Sequence, residues 1–159
     1  MIRRIKQKDR TGLVELVNTN TIFKKSERQV AIELIDEALE LEEPDEFDYN
    51  IFVCIEDDKI KGYHCTGKRY MTDGVFDLYW IMVDAREHGK GIGKKLLKHA
   101  DKFVKQQNGY LIIAETSATK KYYNTRQFYL KSGYEVLADI KDFYKKNDNL
   151  IIFGKYLTT

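Results

Sequence analysis

The stretch Trp80-Ile-Met-Val-Asp-Ala-Arg-Glu-His-Gly-Lys-Gly-Ile-Gly-Lys-Lys-Leu-Leu97 joins a buried-strand pattern, a short turn, a glycine cluster and the start of an amphipathic helix. Gly89, Gly91 and Gly93 carry no Cβ, so a bulky anion can approach the backbone there. The first turn of a helix leaves several N–H groups without partners, and its dipole favours negative charge. Strand, glycine-rich turn and helix start together make an anion cradle, most often for phosphate.

Two phosphate-binding patterns fail on spacing. A P-loop needs four residues between its first Gly and a Gly-Lys-Ser/Thr. Here Gly89 and Gly93 enclose three, and Lys94 is followed by Lys95. A dinucleotide fingerprint needs G-x-G-x-x-G. Counted from Gly89, its last position is Lys94. That fingerprint also belongs to a βαβ unit, usually the first of its domain, whereas this cluster lies past the middle of the chain.

The segment His88-Gly89-Lys90-Gly91-Ile92-Gly93 resembles motif A of the GNAT superfamily of acyl-CoA-dependent N-acyltransferases, Q/R-x-x-G-x-G/A. His88 stands where Gln or Arg is usual. The backbone cradle does not depend on that side chain. The resemblance implies that this loop takes the pyrophosphate of coenzyme A.

Elements laid out from this segment suit the same family. Ile2–Ile5 reads as a short strand. Asp9 opens a helical pattern with Leu13, Val14, Leu16 and Val17 on one face. Ser26 and Gln29 form a capping-box pattern before a second helix. Tyr49–Glu56 and Ile60–Lys68 read as a hairpin across Asp57-Asp58-Lys59. Val75–Val83 is a strand, followed by a helix to about Gln107. Tyr110–Glu115 is a buried strand, and Tyr122–Lys131 a helix capped by Gly133. Tyr134–Ile140 and Leu150–Tyr156 close the chain as paired strands. The order is β-α-α-β-β-β-α-β-α-β-β, a mixed α/β arrangement whose strand–helix–strand unit suits a parallel pair. It is the element order of the GNAT fold. The resemblance implies a mixed, mostly antiparallel central sheet, splayed parallel central strands and flanking helices.

A chain of 159 residues, 43% hydrophobic and 33% charged, suits one soluble domain, expected here over residues 1–159. A net charge of +2 provides no global basic field, so no nucleic-acid partner is expected. The start Met1–Arg10 lacks an apolar signal region. The apolar runs near Ile51–Ile55 and Leu78–Val83 are too short to span a bilayer, so no membrane partner is expected. Cys54 and Cys65 do not form a disulfide framework and read as small core residues in a cytoplasmic protein.

The resemblance also assigns roles. Backbone groups of Ile81, Met82 and Val83 would pair with the pantetheine arm of acetyl-CoA like an added strand. His88, Gly89, Lys90, Gly91, Ile92 and Gly93 would hold its pyrophosphate. Lys90, Lys94, Lys95 and Lys98 give the early helix a basic character, although any one of them also suits a solvated face. The run Thr125-Arg-Gln-Phe-Tyr-Leu-Lys-Ser-Gly-Tyr134 resembles A-x-x-[L/F]-Y-x-x-x-G-F/Y, in which the Tyr, here Tyr129, protonates the departing thiolate.

A base is needed because an amine with a free pKa near about 10 is mostly protonated at neutral pH. Glu115 at a strand end suits that role, and equally suits a surface carboxylate or a partner for Arg126. Asp77 and a water chain are rivals. No metal site is expected. His64 and Cys65 point to opposite strand faces, and His88 and His99 lack zinc-site spacing. Phe76 and Trp80 read as core, whereas Asp142, Phe143 and Tyr144 would border an acceptor cleft. The expected activity is acetyl transfer from acetyl-CoA to a small-molecule or protein amine, by a monomer or homodimer. The rival reading is a non-catalytic acyl-CoA-binding or regulatory module on the same fold.

Overall fold

The computed structural model describes residues 1–158; Thr159, the last residue of the expected domain, lies outside them. In chain order the strands and α-helices are β1 (Ile2–Arg4), α1 (Arg10–Thr19), α2 (Lys25–Glu40), β2 (Asn50–Glu56), β3 (Lys59–Lys68), β4 (Val75–Val83), α3 (Ile92–Gln106), β5 (Leu111–Ser117), α4 (Tyr123–Lys131), β6 (Glu135–Lys145) and β7 (Asp148–Tyr156). This order agrees with the pattern read from the sequence.

The strands form one sheet in the order β1-β2-β3-β4-β5-β7-β6. Every neighbouring pair is antiparallel except β4 and β5, which are joined by the α3 crossover that a parallel pair requires. Asp57 and Asp58 turn the β2–β3 hairpin with φ of 52° and 57°. Two such residues match the twist of the flanking strands.

Helices cover both faces. On one, Phe76, Leu78, Ile112, Ala114 and Phe153 pack with Leu97, Ala100 and Phe103 of α3 and Tyr129 of α4. On the other, Ile51, Val53, Tyr63, Cys65 and Met82 pack with Leu13, Leu16, Val17, Ala31, Ile35 and Ala38 of α1 and α2. Both cysteines are free and buried.

Several boundaries differ from expectation. Helix α2 begins at Lys25, so Ser26 lies inside it. Its capping carboxylate is Glu27, whose Oε2 accepts from the Lys24 N–H at 2.6 Å. A charged acceptor satisfies an orphan N–H more strongly than a hydroxyl or amide, and the helix dipole favours it. Strand β5 continues past Glu115 because Thr116 and Ser117 pair with Ile151 and Leu150. The last hairpin is longer than its apolar pattern, since β6 runs to Lys145 and β7 starts at Asp148.

One irregularity reorganises the centre. Cys65 pairs with Trp80 but Thr66 pairs with Leu78, so Tyr79 is an extra residue in β4. Such a bulge shifts the alternation of side chains and bends the strand. Phe76 and Leu78 therefore face α3 and α4, while Trp80 and Met82, still at even spacing, face α1 and α2. Ile81 and Val83 take over the α3 side, packing against Ile92 and Leu96.

Candidate active site

The parallel strands part company early. Their registered pairs are Val75–Leu111, Phe76–Ile112 and Asp77–Ile113. Beyond these, β4 runs to Val83 and β5 to Ser117, each paired on its outer side to β3 and β7 respectively. A strand edge left open presents N–H and C=O groups that another extended chain can pair with. Ile81, Met82 and Val83 lie along that edge of β4, with His64, Tyr63 and Gly62 opposite them on β3.

The glycine cluster lies just beyond. Gly91 is the N-cap of α3, with φ of +82°, and Gly89 has φ of +80°. Both are left-handed conformations that cost an L residue free energy. A Cβ on either would meet nothing within 4 Å, so the backbone here faces open space. The first intrahelical bond runs from the Lys95 N–H to the Gly91 carbonyl at 3.0 Å. The preceding N–H groups are the orphans that a helix start offers an anion.

The approach to this loop is tied down by contacts the sequence pattern does not announce. Lys61 Nζ and Lys90 Nζ both donate to Glu87, at 2.7 and 2.9 Å. Asp84 accepts from the Arg86 backbone and guanidinium, which hold its carboxyl at a pKa of about 2. His88 Nε2 donates to the Val83 carbonyl at 3.1 Å. The imidazole thus has a partner of its own, beyond the backbone role expected of residue 88. Lys95 Nζ donates to Glu56 at 2.8 Å. Two of the four lysines expected to lend the loop positive charge are therefore already paired, by Glu87 and Glu56.

Helix α4 leans on the same loop. A Cβ on Gly93 would come within 3.0 Å of Phe128 Cζ, so Gly93 serves close helix packing while Gly89 and Gly91 face open space. Tyr129, next to Phe128, is 5% exposed. Its ring lies 5.2 Å from that of Tyr134 and 5.4 Å from that of Phe153. Burial pushes its phenol pKa well above the ordinary value.

The two candidate carboxylates share one cation. Arg69 Nη2 donates to Asp77 Oδ1 at 2.7 Å, and Arg69 Nε meets both Asp77 oxygens at 3.1 and 3.2 Å. The same Nη2 reaches Glu115 Oε1 at 3.5 Å. Asp77 is 8% exposed, whereas the Glu115 side chain is 43% exposed. Arg126, the partner considered for Glu115, instead donates to the Ser117 and Thr119 carbonyls at 2.8 and 2.7 Å. It thereby fixes the turn between β5 and α4.

Tyr122 Oη donates to Glu27 Oε1 at 3.3 Å, linking the α4 approach to α2. Burial, with Glu27 adding, pushes the Tyr122 pKa up to about 12. Phe143 and Tyr144 are exposed on β6, set edge to face 5.2 Å apart. Asp142 turns with φ of +54°.

Among the described residues, no group of three or more His, Cys, Asp or Glu side chains is placed to hold a metal ion. No helix among them is long and apolar enough to cross a membrane.

Comparison with known proteins places this arrangement. Residues 47–136 match the acetyltransferase (GNAT) domain family. Curated proteins furnish no match by sequence. A GNAT-family protein from Desulfovibrio desulfuricans is 34% identical with a TM-score of 0.91, the alignment covering 99% of each chain. An aminoglycoside 6'-N-acetyltransferase solved with coenzyme A superposes with a TM-score of 0.76 at 16% identity, over 100% of this chain and 98% of that one. The Escherichia coli ribosomal-protein-S18-alanine N-acetyltransferase superposes equally well, 0.76 at 16% identity, over 100% and 94%. The last two share the fold. The domain match and the 34% identical structure reach further: this chain belongs to the GNAT family of acetyltransferases.

Proposed function

We propose that residues 1–159 form one N-acetyltransferase domain that transfers an acetyl group from acetyl-CoA to a primary amine, by direct attack in a ternary complex. The observation that carries this reading is the divergence of β4 and β5 after Asp77 and Ile113, beside the open glycine loop. The residues fit the coenzyme chemically. An open strand edge at Ile81, Met82 and Val83 suits the amides of a pantetheine arm. The backbone N–H groups of Gly89, Gly91, Ile92 and Gly93 suit a pyrophosphate, the space before Gly89 and Gly91 being free, whereas those of His88 and Lys90 already donate to the Ala85 and Glu87 carbonyls at 3.4 and 3.3 Å.

Acetyl-CoA supplies the activated acyl group when bound. Transfer forms a C–N bond and breaks the C–S bond. Glu115, or water, takes the proton that the attacking nitrogen must lose. Asp77 is less suited, because Arg69 already engages both its oxygens. Tyr129 donates a proton to the leaving thiolate. Its buried phenol stays protonated at neutral pH, the state an acid needs. Holding both reactants in the cleft replaces a bimolecular encounter.

The test is thiol release from acetyl-CoA across a panel of polyamines, amino acids, aminoglycosides and peptides with free N-termini. Amine-dependent release with at least one acceptor class supports the reading. Tight acetyl-CoA binding without release for any of them points to a coenzyme-binding module.

A further inference from the structure

His64 and His99, which the sequence spacing left unrelated, meet inside the fold. His64 on β3 is 0% exposed. Its Nδ1 lies 2.9 Å from Thr66 Oγ1, and its Nε2 lies 2.9 Å from His99 Nδ1 on α3. Three side chains thus form one hydrogen-bonded chain from sheet to helix. Two neutral imidazoles carry two ring N–H groups in all. The hydroxyl can donate or accept, so the chain is fully satisfied with either sense of donation.

The position of the chain gives it meaning. His64 is registered with Ile81, and Thr66 with Leu78. These pairs bracket the Tyr79 bulge, at which β4 changes the face it presents to α3. At the other end, His99 sits seven residues into α3, about 10 Å along the axis from its glycine-loop start. The chain therefore joins the β3 segment paired with the β4 bulge to the helix whose first turn forms the cradle.

The surroundings keep both rings in place and uncharged. Phe52 of β2 packs on both, with centroids 5.1 Å from His64 and 4.6 Å from His99. Arg4 of β1 lies over the Phe52 ring at 4.7 Å and donates to Asn50 Oδ1 at 2.7 Å. The cations acting on His99 are Arg4 and Lys102, and both oppose a further positive charge. Burial lowers the pKa of each ring first, with neighbouring groups adding.

We propose that Thr66, His64 and His99 are positioning residues: a latch that holds α3 at a set height over the β4 bulge and thereby sets affinity for acetyl-CoA. The affinity half of this inference rests on the acetyl-CoA reading; the latch itself does not. Mutations along a hydrogen-bonded network that links two sites can change their coupling by about 0.5–2 kcal/mol, a factor of roughly two to thirty in affinity.

The experiment compares wild type with His99→Leu and His99→Asn. Leucine removes the bond and strands His64 Nε2, whereas asparagine keeps a polar atom near the position of Nδ1. Acetyl-CoA affinity is measured by calorimetry, and backbone hydrogen exchange of the free protein is followed along α3. His99→Leu is expected to weaken binding by roughly two- to thirtyfold. It should also speed exchange at the start of α3 more than at its end. His99→Asn should restore most of both. If His99→Leu fails to fold, the isosteric Thr66→Val, which cuts the chain at its far end, is read the same way.

A folded His99→Leu with wild-type affinity and an unchanged exchange pattern overturns the proposal. So does a His99→Asn variant as impaired as His99→Leu. If wild type does not bind acetyl-CoA, the functional reading fails. The exchange pattern of the free variants then still decides the latch.

Discussion

Gly93 lies against the distal edge of the Phe128 ring, so close that a Cβ on residue 93 would stand 3.0 Å from Cζ and 3.1 Å from Cε2. The third glycine of the cluster thus lets α3 pack against the helix that carries Tyr129. Gly93→Val should force that ring aside and cost about 1–3 kcal/mol of stability, as overpacking does. Urea unfolding measures it. An unchanged midpoint would mean that Phe128 can swing clear, and that Gly93 is not what lets α4 approach.

Gly91 makes a different prediction, because a Cβ there meets no atom within 4 Å but the backbone has φ of +82°. Gly91→Val should lose about 1–2 kcal/mol through the left-handed conformation. It should still fold, and should lose acetyl-CoA binding because the side chain fills the cradle. Calorimetry on the folded variant checks this. Undiminished affinity would remove the pyrophosphate assignment.

His88 donates from Nε2 to the Val83 carbonyl at the end of β4. A glutamine amide can place an N–H near the same point, whereas alanine cannot. His88→Gln should therefore bind acetyl-CoA within a few-fold of wild type, and His88→Ala should bind more weakly. Equal affinities for the two variants would show that this bond does not shape the loop.

Tyr129→Phe keeps the ring among Tyr134 and Phe153 and removes only the hydroxyl. Turnover should fall roughly a hundredfold to ten-thousandfold, the usual range for a general acid, with acetyl-CoA affinity little changed. Steady-state kinetics with an accepted amine, under conditions where chemistry limits the rate, decide it. Near-normal turnover would place the acid elsewhere. Glu115→Gln run in parallel should remove the lower limb of the pH–rate profile if Glu115 is the base.

The buried histidines make stability depend on pH. Burial, with His99 adding, pushes the pKa of His64 down to about 3, against about 6.5 in an unfolded chain. Between those values the unfolded state binds a proton that the folded state refuses. The contribution of His64 is therefore complete above about pH 6.5 and is lost as pH falls, by up to about 1.4 kcal/mol per pH unit. His99, also lowered, acts in the same direction. Urea midpoints at pH 7.5 and 5.5 should differ accordingly. A flat profile would mean that the pair accepts protons without leaving its place.

Much of this was legible in the chain. The Val75–Val83 strand is legible to the residue, because β-branched and aromatic side chains are concentrated in it. The glycine cluster was readable because missing side chains have a backbone consequence that needs no tertiary context. Ser26 misled because a capping pattern is local, and Glu27 reached the Lys24 N–H instead. The pairing of Glu115 with Arg69 rather than Arg126 was invisible, since residues 69 and 115 meet only once the sheet is assembled.

By itself, then, the sequence determined the order of elements, the parallel crossover and the place of the glycine loop. Periodicity, turn chemistry and the absence of Cβ atoms act over a few residues and are written in order along the chain. Tertiary structure alone decided the Tyr79 bulge, the point at which β4 and β5 part, the shared Arg69 and the Thr66–His64–His99 chain. Each of these depends on register between strands or on a helix lying over a sheet. Register is set by the summed packing of both faces, which no local pattern encodes.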